Sequence, residues 1–159
     1  MEEGYNVGTI EIREYRDADW ERLCAIHDAA RRIELKNAGL EEAFLPLVVA
    51  AGREDLFSYS LRVAQLNGVV AGFCAYSQEE IAWLYVAPES MRKGIGRALV
   101  QDALERIERR PVYLEVLVGN EPARKLYASC GFREESIESG RMPGNEAFSV
   151  RVHAMARDF

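Results

Sequence analysis

The sequence predicts an α/β (α+β) domain whose mixed central sheet of about six or seven strands carries helices on both faces. Three observations predict it. Asn67-Gly68 joins two β-rich runs, the strongest short hairpin signal. An apolar run from Ile81 to Val86 leads into a helical face at Leu99, Val100, Ala103, Leu104 and Ile107. A second strand-to-helix passage follows from Val112. Hairpins make the first half antiparallel, and strand–helix alternation makes the second half partly parallel.

The elements follow in order. Ile10 to Tyr15 alternates apolar and polar residues and reads as a strand. Asp17 reads as the N-cap of a helix carrying Trp20, Leu23, Cys24, Ile26 and His27. A second helical stretch runs from Glu41 to Ala51 and ends at Gly52. Ser58 to Leu66 and Val69 to Tyr76 are the hairpin strands, and Ser77 to Glu80 turns into the Ile81–Val86 strand. Val112 to Val118 is a further strand, and Asn120 caps a short helix that carries Glu121 and Pro122 in its first turn. That helix stops at Gly131. Pro143-Gly144-Asn145 turns into a last strand from Phe148 to Met155, and one more strand fits between Phe132 and Arg141.

The chain of 159 residues is long enough for one domain with one sizeable core, spanning residues 1–159. Hydrophobic residues make up 48% and charged residues 29%, an ordinary globular balance. A net charge of −6 argues against a nucleic-acid partner. No apolar run is long enough to span a membrane, and Met1 to Tyr5 is too acidic and polar for a signal peptide. Cys24, Cys74 and Cys130 are odd in number and far apart, which suits reduced core thiols of a cytoplasmic protein better than a disulfide framework or a metal site.

Met91-Arg92-Lys93-Gly94-Ile95-Gly96-Arg97 opens a helix directly after an apolar strand. The first backbone N–H groups of a helix have no intrahelical partner and the helix dipole favours an anion there. Gly94 and Gly96 allow close approach to phosphate oxygens, and Arg92, Lys93 and Arg97 add positive charge. A plain loop-to-helix turn would carry the same residues. The segment is not a P-loop, because no Gly-Lys-Ser/Thr follows, and Leu99 stands where a dinucleotide fingerprint has its third glycine.

Leu84-Tyr85-Val86-Ala87-Pro88 with Arg92 to Leu99 resembles the acyl-CoA-binding motif of the GNAT superfamily of N-acetyltransferases. Asn120 to Phe132, with its Asn, Ala, Leu-Tyr and Gly-Phe, resembles the same family's second motif in order and spacing. The element order is similar to the GNAT fold from Ile10 to about Met155. One departure is Met91, where the family often has Gln or Arg. The resemblance implies an N-acetyltransferase that moves an acetyl group from acetyl-CoA to a primary amine by direct transfer, without a metal. It implies that Leu84, Tyr85, Val86, Met91, Arg92, Lys93, Gly94, Ile95, Gly96, Arg97 and Asn120 hold the cosubstrate. It allows a homodimer, which no sequence feature specifies.

The resemblance also implies roles in proton transfer. Glu80, directly before the apolar strand, becomes the candidate base acting through a water, with Glu79 behind it; a solvated acidic turn is the plain alternative. Tyr127 becomes the candidate acid toward the cosubstrate sulfur, or else an amphipathic tyrosine at a helix–sheet contact. A strand bulge that frees an N–H for the thioester oxygen is expected around Tyr85 or Val86. Asn120 serves as helix cap, pantetheine contact or both. His27 reads as solvated or partly packed, and His153 as structural or as lining a pocket. The acceptor region implied is about Asp28 to Leu56 and Phe132 to Ala147. There Arg31, Arg32, Arg141, Glu34, Glu41 and Glu42 are either acceptor contacts or ordinary surface charges. A catalytically silent acyl-CoA sensor and a nucleotide-binding enzyme are the alternatives.

Overall fold

A computed structural model describes residues 8–158; the Met1 to Tyr5 stretch lies outside the described residues. Seven strands and four helices follow the order β1 (Ile10–Glu14), α1 (Trp20–Asn37), α2 (Leu47–Arg53), β2 (Ser60–Leu66), β3 (Val69–Tyr76), β4 (Ile81–Val86), α3 (Ile95–Arg106), β5 (Val112–Leu117), α4 (Glu121–Ser129), β6 (Arg133–Met142) and β7 (Asn145–Arg157).

The strands form two antiparallel groups, β1-β2-β3-β4 and β5-β7-β6. Within the described residues, β4 and β5 meet at one parallel bridge, Glu80 to Tyr113, where Tyr113 N–H donates to Glu79 O at 2.9 Å. The seven strands agree with the sequence reading, and the parallel part is confined to that bridge. Beyond it the two strands part, so the centre of the molecule is a V with Glu80 at its closed end.

Helices cover both faces, as the sequence predicts. On one face Leu23 and Ile26 of α1 and Leu47 and Ala50 of α2 pack on Val63, Phe73, Ala75 and Trp83. On the other, Ile95, Leu99, Val100 and Ala103 of α3 and Tyr127 of α4 pack on Cys74, Ile81, Leu114 and Val116. Successive β3 residues supply opposite faces, Phe73 and Ala75 to the first and Cys74 and Tyr76 to the second, which is the two-residue period of a strand buried on both sides. Cys74 and Cys130 are core thiols, and Cys24 is half-buried.

Several boundaries differ from the sequence reading. Asp17 opens a short 3₁₀ turn, and the anchor of α1 is Asp19, whose Oδ2 accepts from Arg16 N–H and Arg13 Nη1, each at 2.8 Å. The Glu41–Ala51 stretch divides into a 3₁₀ turn (Glu41–Ala43) and α2, because Pro46 biases Leu45 out of helical backbone. Gly52 lies inside α2, which runs to Arg53. The first N–H of α2, that of Leu47, is taken by Asp28 Oδ1 at 2.8 Å. Leu56–Ser58 is a 3₁₀ turn, so β2 begins at Ser60. β6 is the further strand, an edge strand whose residues are exposed but for Ser136 and Met142. No helix among the described residues is long and apolar enough to cross a membrane.

Candidate active site

The V between β4 and β5 opens into a cleft of about 200 Å³. Its back wall is Trp83, Leu84 and Tyr85 of β4 with Glu115, Val116 and Leu117 of β5. His27, Arg31 and Glu34 of α1 and Ala50 and Glu54 at α2 line one side; Asn120, Ala123 and Tyr127 line the α4 side; Met142, Pro143 and Asn145 of the β6–β7 hairpin close the front.

Backbone pairing decides what β4 offers the cleft. Ala87 N–H donates to Ala71 O at 2.7 Å, and Tyr85 and Trp83 pair with Phe73 and Ala75. In an antiparallel ladder the bonding direction alternates. The N–H and C=O groups of Leu84 and Val86 therefore point away from β3, toward the gap. The register irregularity expected around Tyr85 or Val86 lies instead at Ala82, between the Ala75–Trp83 and Tyr76–Ile81 pairs. The splaying of β5, rather than a bulge, leaves the Leu84 and Val86 N–H groups without a strand partner among the described residues.

Downstream of β4, a 3₁₀ turn (Pro88–Ser90) and the exposed Met91, Arg92 and Lys93 lead to α3. Gly94 is its N-cap at φ 85° with no side-chain cap, and the first turn closes with Ala98 N–H on Gly94 O at 3.0 Å. The N–H groups of Ile95, Gly96 and Arg97 are unused by the helix. Gly96 serves packing more than approach: a Cβ there would lie 2.9 Å from Leu126 Cδ2, so its absence lets α3 and α4 close on each other. Arg97 donates to Ser129 Oγ at 2.7 Å, the same helix contact from the surface side.

Inside the cleft, Glu34 is the hub of a polar network. Its Oε1 accepts from Arg31 and from Tyr85 OH (3.4 Å), and its Oε2 accepts from Asn120 Nδ2 at 2.8 Å. Asn120 also caps α4 by accepting from Ala123 N–H at 3.3 Å. One asparagine thus joins α4 to α1 across the mouth of the V. His27 is buried, 2% exposed, against Trp83 and Tyr85, with Nδ1 on Asp28 at 2.9 Å, rather than solvated. Burial holds its imidazole below the usual range, against the pull of Asp28, so it is neutral near pH 7.

Tyr127 lines the cleft with its ring edge-on to Phe132 (5.9 Å between centroids). Burial pushes its phenol well above 10, which keeps it protonated. Glu80 is elsewhere. It stands at the closed end of the V, outside the cleft lining, and its Oε1 accepts from Tyr59 OH at 2.9 Å. Burial and that bond push Tyr59 up to about 12. Glu79 is solvent-exposed, 3.5 Å from Arg109. The structure does not bring Glu80 and Tyr127 together.

The carboxylates it does bring into the cleft with Tyr127 are Glu34, Glu54 and Glu115. Glu115 had a sequence signal, a lone charge within the apolar Val112–Val118 strand. Glu54 had none, since Arg53-Glu54-Asp55 reads as a solvated helix end. Of the surface charges named above, Arg31 and Glu34 are in the cleft. Arg32 stacks on Phe44 (3.7 Å), Arg141 donates to Ser149, and Glu41 and Glu42 are exposed. His153 pairs with Glu134 across β6–β7.

Comparison with known proteins bears on this arrangement. The model of the Acetyltransferase (GNAT) family matches residues 20–132, which contain both motifs and the V. The chain belongs to the GNAT acetyltransferase family. GNAT relatives include the ribosomal protein bS18-alanine N-acetyltransferase of Escherichia coli K12, 33% identical over 84 residues; the match covers 48% of this chain and 57% of that relative's length. A GCN5-related N-acetyltransferase from Rhodopseudomonas palustris shares the fold at a TM-score of 0.78, with 19% identity over 95% of this chain and 96% of that one. The Salmonella typhimurium protein yncA, solved with acetyl-CoA, shares it at a TM-score of 0.61, with 18% identity over 94% of this chain and 93% of that one.

Proposed function

We propose that this GNAT chain transfers an acetyl group from acetyl-CoA directly to a primary amine. The observation that carries the reading is the V itself: unpaired Leu84 and Val86 amides, a protonated Tyr127 and cleft carboxylates meet at one gap. Acetyl-CoA supplies an activated thioester. The segment from Met91 to Arg97 would hold its pyrophosphate on the free amides of the α3 N-terminus, with Arg92, Lys93 and Arg97 nearby. Leu84, Tyr85 and Val86 would receive the pantetheine arm, and an unpaired β4 amide would stabilise the developing oxyanion. Asn120, engaged by Glu34 and Ala123, shapes the mouth of the gap rather than standing free for a ligand.

Tyr127 is the acid of this reading, because burial keeps its proton in place until a thiolate needs it. The base is Glu115, which flanks the gap on β5 and lines the same cleft. Glu80, tied to Tyr59, is the second reading, reaching the amine only through intervening water. The bS18-alanine enzyme among the relatives supports the α-amine of a peptide as the acceptor.

The test is thiol release from acetyl-CoA with an alanine-initiated peptide amide as acceptor. Tyr127→Phe keeps the packing on Phe132 and is expected to lower kcat about 100-fold with melting temperature held. Glu115→Gln is expected to lower kcat, while Glu80→Gln leaves it near the wild-type value. The reverse pattern would move the base to Glu80. Tight acetyl-CoA binding without thiol release for any amine would make the chain an acyl-CoA sensor.

A further inference from the structure

We propose that Glu54 is the residue that receives the ammonium group of the acceptor, so that the cleft selects amines presented as primary cations. The proposal rests on the acetyltransferase reading of the cleft and adds which side chain recognises the acceptor.

Among the described residues the cleft lining has one cation, Arg31, paired with Glu34, whose oxygens are taken by Arg31, Tyr85 and Asn120. The Glu54 carboxylate makes no hydrogen bond or ion pair among the described residues, yet the residue is half-buried and lines the cleft. A half-buried carboxylate with no hydrogen-bond partner, offset only by the field of an Arg31 already paired to Glu34, is costly. A cationic ligand would remove that cost, and a neutral or anionic one would not.

The fold holds Glu54 in place. It caps the end of α2, with its N–H on Ala50 O at 2.9 Å. The tip of the β6–β7 hairpin presses on its stem: a Cβ on Gly144 (φ 76°) would lie 2.9 Å from Glu54 Cγ. Arg53 Nη1 donates to Gly144 O at 3.0 Å, and Asn145 Nδ2 donates to Ala43 O at 2.9 Å, fastening the hairpin over the α2 end. The carboxylate therefore faces the cleft, between the small apolar walls of Ala43, Leu45, Ala50 and Pro143. Those walls suit a short aliphatic group beside the ammonium. Burial, opposed by Arg31 and reinforced by Glu146, pushes the carboxyl up to about 7, so it carries its charge under the mildly alkaline conditions where amines react.

A peptide N-terminus and a lysine side chain both present a primary ammonium. Calorimetric titration of the protein in the presence of coenzyme A, with an alanine-initiated peptide amide, its N-acetylated twin and Nα-acetyl-lysine amide, tells them apart. The wild type is expected to bind at least one free amine and not the twin; Glu54→Gln is expected to weaken that binding by about tenfold or more, with coenzyme A affinity unchanged. Equal binding by Glu54→Gln, equal binding of the twin, or no amine binding to the wild type would overturn the proposal. Thiol-release kinetics separate it from the reading beneath it. Glu54-dependent amine binding without thiol release would keep the recognition and reject the transfer. Turnover with an unchanged acceptor KM in Glu54→Gln would keep the transfer and reject the recognition. A fall in kcat at unchanged KM would make Glu54 a proton acceptor and overturn its recognition role.

Discussion

Asp19 shows how one side chain sets the entry to a helix. Its carboxylate accepts from both Nη atoms of Arg13, each at 2.8 Å, and from Arg16 N–H, tying β1 to the start of α1. The hydrogen bond from Arg13, with that of Arg16, holds its carboxyl below the ordinary 3.8 against the cost of burial. A depressed folded pKa means stability that is present above the unfolded value and lost as pH falls through the folded one. Asp19→Asn is therefore expected to cost about 1–3 kcal/mol at pH 7, with the gap to wild type closing below pH 3.8 in urea melts. Glu54 has the opposite sign. Its raised pKa favours the fold below 4.5, and that contribution is lost as pH rises through about 7.

At the scale of elements, the β4-to-α3 passage was legible because its chemistry is local. Gly94, at φ 85°, takes the left-handed backbone that favours glycine at the helix start, and Arg92 takes it at φ 64°, whereas Gly96 lacks a Cβ to make room for α4. Gly94→Ala is expected to cost about 1–2 kcal/mol and to weaken coenzyme A binding measured by calorimetry. Gly39→Ala, at φ 70° with open space around it, is the control: the same backbone penalty with coenzyme A affinity kept. α4 was equally legible from Asn120, Glu121 and Pro122. β6 was read only faintly, because an edge strand of charged residues (Arg133, Glu134, Glu135) has no apolar alternation to announce it.

Across the whole molecule, β2 and α3 are joined through a buried pair. Arg62 Nε reaches Asp102 Oδ2 at 2.9 Å, with side chains 9% and 14% exposed. Asp102 also accepts from Arg106 Nε at 3.3 Å, whereas the ion pair of Arg62 is with Asp102 alone among the described residues, so removing Asp102 leaves a buried charge without its counter-ion. Asp102→Ala is expected to destabilise by about 3–5 kcal/mol, read in chemical denaturation, with the cleft residues untouched. The cleft itself is a product of the largest scale, since its walls come from α1, α2, β4, β5, α4 and the β6–β7 hairpin. No stretch of sequence contains it.

By itself the sequence determined the fold class, the strand and helix order and the two family motifs, and it pointed to Tyr127, which lines the cleft. Each is written in hydrophobic period, turn chemistry or residues a few positions apart. Only the tertiary structure decided that β4 and β5 part just beyond Glu80, which leaves Glu80 at the closed end and turns Glu115 into the cleft. Only it decided that Arg31 pairs with Glu34 and that, among the described residues, the Glu54 carboxylate has no hydrogen-bond or ion-pair partner. Those outcomes depend on the divergence of two strands and on contacts such as that between Gly144 and Glu54, ninety residues apart in the chain, and spacing along a sequence carries no record of which distant charges cancel.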